Sequence, residues 1–202
     1  MSSHHFVRED QEPAVFVLEQ VNQGILFQLL EWSPRLIVAQ KAVELITSLG
    51  VKIDVVLCDE DLCDNFRDML AFQMPVRFVV MEQNETCYAQ GISFLVRQGC
   101  KAVHILGEIP YEEMKQLSVA FPLDIAVWNN DYKWNCCRSG QFRKWVTAGS
   151  SFIINAREQI KFQVDTTFKR RLVHDDLIVD LLEDGMISFQ CMGPFWLGEY
   201  IN

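Results

Sequence analysis

Short β-branched segments alternate with longer helical patterns over the first two thirds of this 202-residue chain. The short segments are continuous apolar runs, which is typical of strands that are covered on both faces. They predict six strands, over 14–18, 35–40, 54–58, 76–81, 102–106 and 124–128. Apolar residues at helical spacing predict five helices between them, over 24–32, 41–49, 61–72 and 84–98 and from 110 onward. Regular β–α alternation predicts a doubly wound α/β domain with a mostly parallel sheet.

The ends of two helices carry recognisable signals. Gly50 and Gly99 each follow a helical pattern, and glycine favours the left-handed conformation that ends a helix. Asn84 precedes the fourth helix and is predicted to be its N-cap.

The pattern changes near residue 135. Short aromatic or β-branched segments separated by polar turns predict further strands, over 142–146, 151–155, 160–164, 177–182, 186–191 and 195–200. We therefore predict an α/β nucleotide-binding-like domain over 1–134 and a small all-β, sandwich-like domain over 135–202. A domain of about 65 residues is marginal alone, so we expect it to dock on the first domain or on a second subunit.

Composition limits the classes of partner. The chain has 27 acidic and 18 basic residues, a net charge of −9, which argues against a general nucleic-acid binder because such proteins need a basic face. No apolar stretch approaches the about 20 residues of a membrane helix, and no apolar signal segment is visible at the N-terminus. The seven cysteines include no C-x-x-C pair, which disfavours zinc and favours reduced thiols in a cytoplasmic protein.

Ligands of doubly wound sheets bind beyond the carboxyl ends of the strands. This rule selects four segments, Gln40-Lys41, Asp59–Asp61, Asn84–Thr86 and Gly107-Glu108. Six carboxylates lie within 15 residues around the second segment: Asp54, Asp59, Glu60, Asp61, Asp64 and Asp68. Asp59 and Asp61 are suited to hold Mg²⁺, which prefers oxygen ligands. They are equally well explained as solvated acids at a helix start, where the helix dipole favours them.

Short segments then follow one another at characteristic distances: Gln40-Lys41-Ala42, Leu49–Asp54, Cys58–Leu62, Asn84–Cys87 and Gly99–Gly107. Their order resembles that in thiamine pyrophosphokinases, where the corresponding segments read approximately Asp-Gly-Gly, LGIKPD, Gly-Asp-Phe-Asp-Ser, Asp-x-Thr-Asp and GAKEITILGA. The motifs cover roughly residues 35–110, and the two-domain layout extends the resemblance to the whole chain.

The resemblance implies ATP-dependent pyrophosphoryl transfer to thiamine, with Mg²⁺ and a homodimeric site. It implies that Asp59 and Asp61 are the catalytic acids and bind the metal and the triphosphate, with Thr86 and Gly107 beside the nucleotide. Lys41 is a candidate replacement cation, although a solvated lysine at a helix start is the better explanation.

Three departures from the family pattern weaken this expectation. Gln40-Lys41-Ala42 lacks the acid and both glycines, and Cys87 replaces the second acid of Asp-x-Thr-Asp. Glu108–Met114 stands where the family has Gly-Gly-Arg-x-Asp-His. Losing a positioned cation and an acid–base group costs orders of magnitude in rate. The sequence therefore predicts a relative with weak, altered or lost kinase activity.

Other interpretations stay open from the sequence alone. The chain is either a transferase with residual activity or a non-catalytic homodimer that binds a nucleotide or a thiamine phosphate; a receiver-like acidic module fits the two-domain layout less well. Lys169–Arg171 suits either an anion site or a charged strand edge. The five tryptophans suit either a stacking surface or the core.

Overall fold

The computed structural model describes residues 12–129, 131–155 and 157–201, so the N-terminal segment discussed above lies outside the described residues. By packing, the chain divides into two compact units. The first extends to Glu108 and includes Phe121–Leu123, and the second comprises Ile109–Ala120 and the residues from Asp124 onward. The boundary between these units differs from the domain boundary that the sequence predicts at 134/135. That boundary remains a prediction about which parts of the chain fold separately.

The strands of the first unit form parallel pairs in the order β5-β1-β2-β3-β4. Their bounds are β1 Ala14–Val17, β2 Leu36–Ala39, β3 Val55–Cys58, β4 Arg77–Val80 and β5 Ala102–Leu106. Every residue of β1, β2 and β3 is buried, so both faces of these strands are covered, as their continuous apolar runs predicted. The strand order reverses at β1, and this reversal marks the switch point at which ligands bind in such sheets.

Helices follow the strands of this unit, with bounds α1 Gln23–Leu30, α2 Val43–Ser48, α3 Cys63–Met69 and α4 Cys87–Arg97. The helix predicted over 61–72 is shorter, because 3₁₀ turns at 60–62 and 71–73 flank α3. The prediction of Asn84 as an N-cap is wrong. Asn84 lies in a turn, and Thr86 caps α4 by accepting a 3.4 Å hydrogen bond from the Ala89 amide. Gly50 and Gly99 have φ values of 69° and 79°, which confirms the left-handed helix ends.

The second unit contains two antiparallel sheets, ordered β11-β12-β9-β14-β7-β6 and β10-β13-β8. Its elements are α5 Tyr111–Ala120, β6 Asp124–Trp128, β7 Tyr132–Cys137, β8 Gln141–Val146, β9 Ser151–Asn155, β10 Lys161–Val164, β11 Phe168–Val173, β12 Asp176–Leu181, β13 Gly185–Gln190 and β14 Phe195–Tyr200. Side chains from both sheets share one core, in which the Phe152 and Phe189 rings lie 5.8 Å apart. The predicted antiparallel β structure is therefore present.

The sequence did not predict β7 and β11. β7 reads YKWNCC without regular alternation, and every residue of β11 is exposed, so neither strand has the pattern of a half-buried strand. β11 ends its sheet, which confirms Lys169–Arg171 as a charged strand edge. Trp134 and Trp196 are core residues, whereas Trp32 and Trp145 are exposed. Among the described residues, no helix is long and apolar enough to cross a membrane.

Candidate functional site

A pocket of about 250 Å³ lies in the first unit, where β1, β2, β4 and β5 end. Its walls come from the residues that follow these strands and from the first turn of α4: Leu18, Glu19, Ala39, Gln40, Lys41, Met81, Cys87, Tyr88 and Glu108. Because β1 and β5 are the neighbours between which the strand order reverses, the pocket occupies the switch point of the sheet. This is the position at which doubly wound folds bind their ligands.

Two adjacent backbone segments close the wall between β1 and β5. The Leu18 amide donates to the Leu106 carbonyl at 2.9 Å, which continues the parallel pairing by one residue. Gly107 then turns with a φ of 137°, and a Cβ at this position would lie 2.9 Å from Leu18 Cβ. Only glycine accommodates both the backbone angle and this close approach. Gly107 therefore shapes the pocket through its backbone and directs the chain to Glu108.

A buried glutamine, Gln90, fixes the loop that joins β4 to α4. Gln90 of α4 donates from Nε2 to the Glu82 and Glu85 carbonyls at 2.7 and 3.3 Å, and its Oε1 accepts from the Glu82 amide at 2.8 Å. These bonds satisfy backbone groups of the loop that joins β4 to α4. The loop therefore has a defined path between Met81 and Cys87, two of the pocket residues.

The charges in the pocket do not favour a polyphosphate. Glu19 and Glu108 contribute two carboxylates and Lys41 one ammonium group, while Leu18, Met81 and other apolar side chains supply most of the surface. Sites that bind polyphosphates place cations and backbone N–H groups toward the ligand. A mostly apolar lining with a few polar groups is typical of pockets that bind small organic molecules.

Asp59 lies beside this pocket and is bound to Gln40. The Gln40 amide nitrogen Nε2 donates to Asp59 Oδ2 at 2.8 Å, and the Asp59 backbone N–H donates to Gln40 Oε1 at 2.8 Å. Gln40, which stands where thiamine pyrophosphokinases have an aspartate, therefore donates a hydrogen bond to one carboxylate oxygen of Asp59. The Asp59 side chain is otherwise exposed.

Lys41 and Asp59 both act on the thiol of Cys87. Burial raises the pKa of Cys87 to about 11, while the charge of Lys41 lowers it and that of Asp59 raises it. Lys41 and Cys87 both line the pocket, and Asp59 is bound to Gln40, the neighbour of Lys41 in the chain. Asp61, in the 3₁₀ turn at 60–62, and Thr86 are exposed and do not line the pocket.

A metal cage is not present in the described part of the chain, where no group of three or more His, Cys, Asp or Glu side chains is arranged to hold an ion. Asp59 and Asp61 both follow β3 and are exposed. Mg²⁺ often takes one or two carboxylates and keeps water and phosphate oxygens as its other ligands. Asp59 and Asp61 therefore fit a magnesium ion whose remaining ligands are water and phosphate oxygens.

Sequence reasoning identified Gln40, Lys41 and Glu108 as strand-end residues but missed Glu19, Met81 and Tyr88. Glu19 follows the end of β1, so the same rule applied to the first strand would have selected it. Met81 and Tyr88 carry no signal of this kind, because apolar and aromatic side chains near a strand end are indistinguishable from core residues.

No protein-family model matches this sequence, and no curated protein matches it. Solved structures do match its fold. Thiamin pyrophosphokinase from Candida albicans superimposes with a TM-score of 0.68 at 8% identity, over 98% of this chain and 91% of that one. The fold is that of thiamin pyrophosphokinases.

Two other thiamin pyrophosphokinases show the same likeness. The enzyme from Geobacillus thermodenitrificans gives a TM-score of 0.66 at 11% identity, over 94% of this chain and 98% of that one. The yeast enzyme gives 0.63 at 8% identity, over 97% and 88%. The resemblance that the sequence motifs indicated is thus confirmed in the fold.

Proposed function

We propose that this chain is a cytoplasmic, thiamine pyrophosphokinase-like protein in which ATP-dependent pyrophosphoryl transfer to thiamine is weak or lost, and that it acts mainly by binding a small organic molecule. The observation that carries this proposal is the pocket at the switch point, with two carboxylates and one lysine among its walls. A pocket at the switch point supports ligand binding there, and its two carboxylates disfavour a polyphosphate.

The electrostatic penalty is large enough to decide between ligands. A carboxylate about 6 Å from a phosphate charge repels it by roughly 3 kcal/mol at an effective dielectric constant of about 20. Glu19 and Glu108 would each repel a triphosphate, and Lys41 would attract it. A penalty of about 3 kcal/mol would weaken binding about a hundredfold, since each 1.4 kcal/mol is a factor of ten. The same carboxylates attract a cation.

Residual transferase activity would depend on the residues that the resemblance implies. Asp59 and Asp61 would hold Mg²⁺, which when bound neutralises charge on the transferring phosphates. Lys41 would add positive charge, and Thr86 and Gly107 would stand beside the nucleotide. An active transferase is the second candidate function, and it is favoured by Lys41 in the pocket wall beside Gln40, which is bound to Asp59.

A turnover assay separates the two functions. Protein incubated with Mg-ATP and thiamine is followed for AMP and thiamine diphosphate, alongside Asp59→Asn. We expect at most trace turnover that Asp59→Asn leaves unchanged. Clear turnover that is lost in Asp59→Asn would establish the active transferase instead.

Ligand class is tested by thermal shift. A ligand at about 100 times its dissociation constant stabilises the folded state by about 2.7 kcal/mol. We expect thiamine, a cation, to raise the melting temperature more than ATP at equal concentration. The double variant Glu19→Gln/Glu108→Gln should reverse this order, and Glu44→Gln, an exposed acid of α2, is the matched control. Stronger stabilisation by ATP in the unmodified protein would refute the electrostatic argument.

The proposal includes a homodimer, which is the assembly that the resemblance implies. Light scattering coupled to size-exclusion chromatography measures it directly. A monomeric mass at micromolar concentration would exclude a site that needs two subunits.

A further inference from the structure

Two cysteines meet at the carboxyl end of β3. The Sγ atoms of Cys58 and Cys63 lie 3.1 Å apart, and both residues are free thiols. Cys58 is the last residue of β3 and Cys63 the first of α3, with the 3₁₀ turn at 60–62 between them. The contact therefore bridges the two ends of the short segment that carries Asp59 and Asp61.

We propose that Cys58 and Cys63 form a redox modification site, at which hydrogen peroxide converts the two thiols into an intramolecular disulfide. A disulfide has an S–S distance of about 2.05 Å, so bond formation requires the two sulfurs to approach by about 1 Å. The inference rests on this thiol pair and not on the ligand or activity proposed above.

The reaction balances with one molecule of peroxide. The Cys63 sulfur attacks one peroxide oxygen, the O–O bond breaks, and a sulfenic acid forms with release of water. The Cys58 sulfur then attacks the Cys63 sulfur, the S–O bond breaks, and the Cys58 proton leaves with the hydroxide as a second water. Two thiols are oxidised by two electrons in total, and peroxide is reduced to two waters.

The environment of each thiol sets the order of these steps. Cys63 exposes 6% of its surface and Cys58 none, so a small oxidant reaches Cys63 first. Cys58 is fully buried and its Sγ lies 3.1 Å from that of Cys63, so it acts second, as the resolving thiol.

The disulfide would act on the candidate site through the segment it closes. Asp59 follows Cys58 directly and is bound to Gln40, which lines the pocket. A covalent link from Cys58 to Cys63 removes the freedom of the 3₁₀ turn between them. Oxidation should thus restrict the position of Asp59 and Asp61.

Mass spectrometry after treatment with one equivalent of peroxide tests the proposal. We expect an intact mass lower by two hydrogens, a linked peptide containing Cys58 and Cys63, and a fall by two in the seven thiols titrated after unfolding. Dithiothreitol should restore all of them. Amide exchange in residues 59–62 should be slower in the oxidised protein.

Matched variants make the result specific. Cys63→Ser should abolish the mass loss, and Cys100→Ser, which changes a half-buried thiol elsewhere, should retain it. If Cys63→Ser does not fold, the peptide map of the unmodified protein still decides. The proposal is overturned if Cys58 and Cys63 stay reduced in protein whose other thiols are oxidised. It is also overturned if Cys63 is oxidised irreversibly without forming a disulfide to Cys58.

Discussion

Replacing Gly107 by alanine probes the wall of the pocket between β1 and β5. Gly107 has a φ of 137°, which residues with a Cβ rarely adopt, and the new Cβ would lie 2.9 Å from Leu18 Cβ. Backbone strain of this kind costs about 1–3 kcal/mol, and forcing an additional methyl group into a packed site costs about 1–3 kcal/mol more. We therefore expect Gly107→Ala to lower the free energy of unfolding by about 4 kcal/mol.

Gly50→Ala is the matched control. Gly50 also has a positive φ, of 69°, but no atom lies within 4 Å of a Cβ built there. Its substitution should cost only the left-handed strain of about 1–2 kcal/mol. A change of 1 kcal/mol lowers the melting temperature of a chain of this size by roughly 2–4 °C, so the two variants are readily distinguished.

Thermal and urea unfolding, followed by far-ultraviolet circular dichroism, measure both variants. The reasoning is refuted if Gly107→Ala is no less stable than Gly50→Ala, because the close approach of Leu18 would then carry no cost. A smaller thermal shift with thiamine in Gly107→Ala at a temperature where it remains folded would also link this backbone turn to binding.

Two other predictions concern groups outside this turn. Gln90→Leu removes three hydrogen bonds to the loop between β4 and α4 and should lower the free energy of unfolding by about 2–3 kcal/mol. Urea unfolding measures this change, with the exposed Gln83→Leu as the control variant. Equal stability of the two variants would contradict the prediction. Burial raises the pKa of the Asp180 carboxyl, but hydrogen bonds from Arg171 and Ser151 and the charges of Arg171 and Lys169 lower it by more. Asp180 should therefore stabilise the protein above the carboxyl's ordinary pKa of 3.8 and lose this contribution as the pH falls below it. Unfolding between pH 6 and pH 3 should show a shallower loss in Arg171→Gln, and an unchanged pH profile would contradict the assignment.

The elements that sequence predicted best are those with an unambiguous burial pattern. The strands at 102–106, 124–128 and 195–200 have the predicted bounds. β11 has no buried residue and therefore left no pattern to detect. The N-cap of α4 was assigned to Asn84 instead of Thr86, since both residue types cap helices and only the backbone path of the loop distinguishes them.

The site was harder to predict because proximity in the sequence is a poor guide to proximity in space. Six carboxylates lie close together in the sequence between 54 and 68, yet several have separate partners in the structure. Asp54 accepts from the Leu36 amide at 2.8 Å, Asp59 from Gln40, and Asp64 pairs with Arg67 at 2.8 Å. The carboxylates that line the pocket are Glu19 and Glu108, which are 89 positions apart in the sequence.

The parallel sheet explains this difference. Strand ends that are distant in sequence meet at one edge, so the two carboxylates of the pocket follow β1 and β5 and do not come from the acidic segment after β3. The acids near β3 carry the resemblance to thiamine pyrophosphokinases, whereas Glu19 and Glu108 line the pocket. Neutralising these two glutamates should therefore change ligand preference more than Asp59→Asn does, and the opposite result would place the electrostatic control of binding after β3.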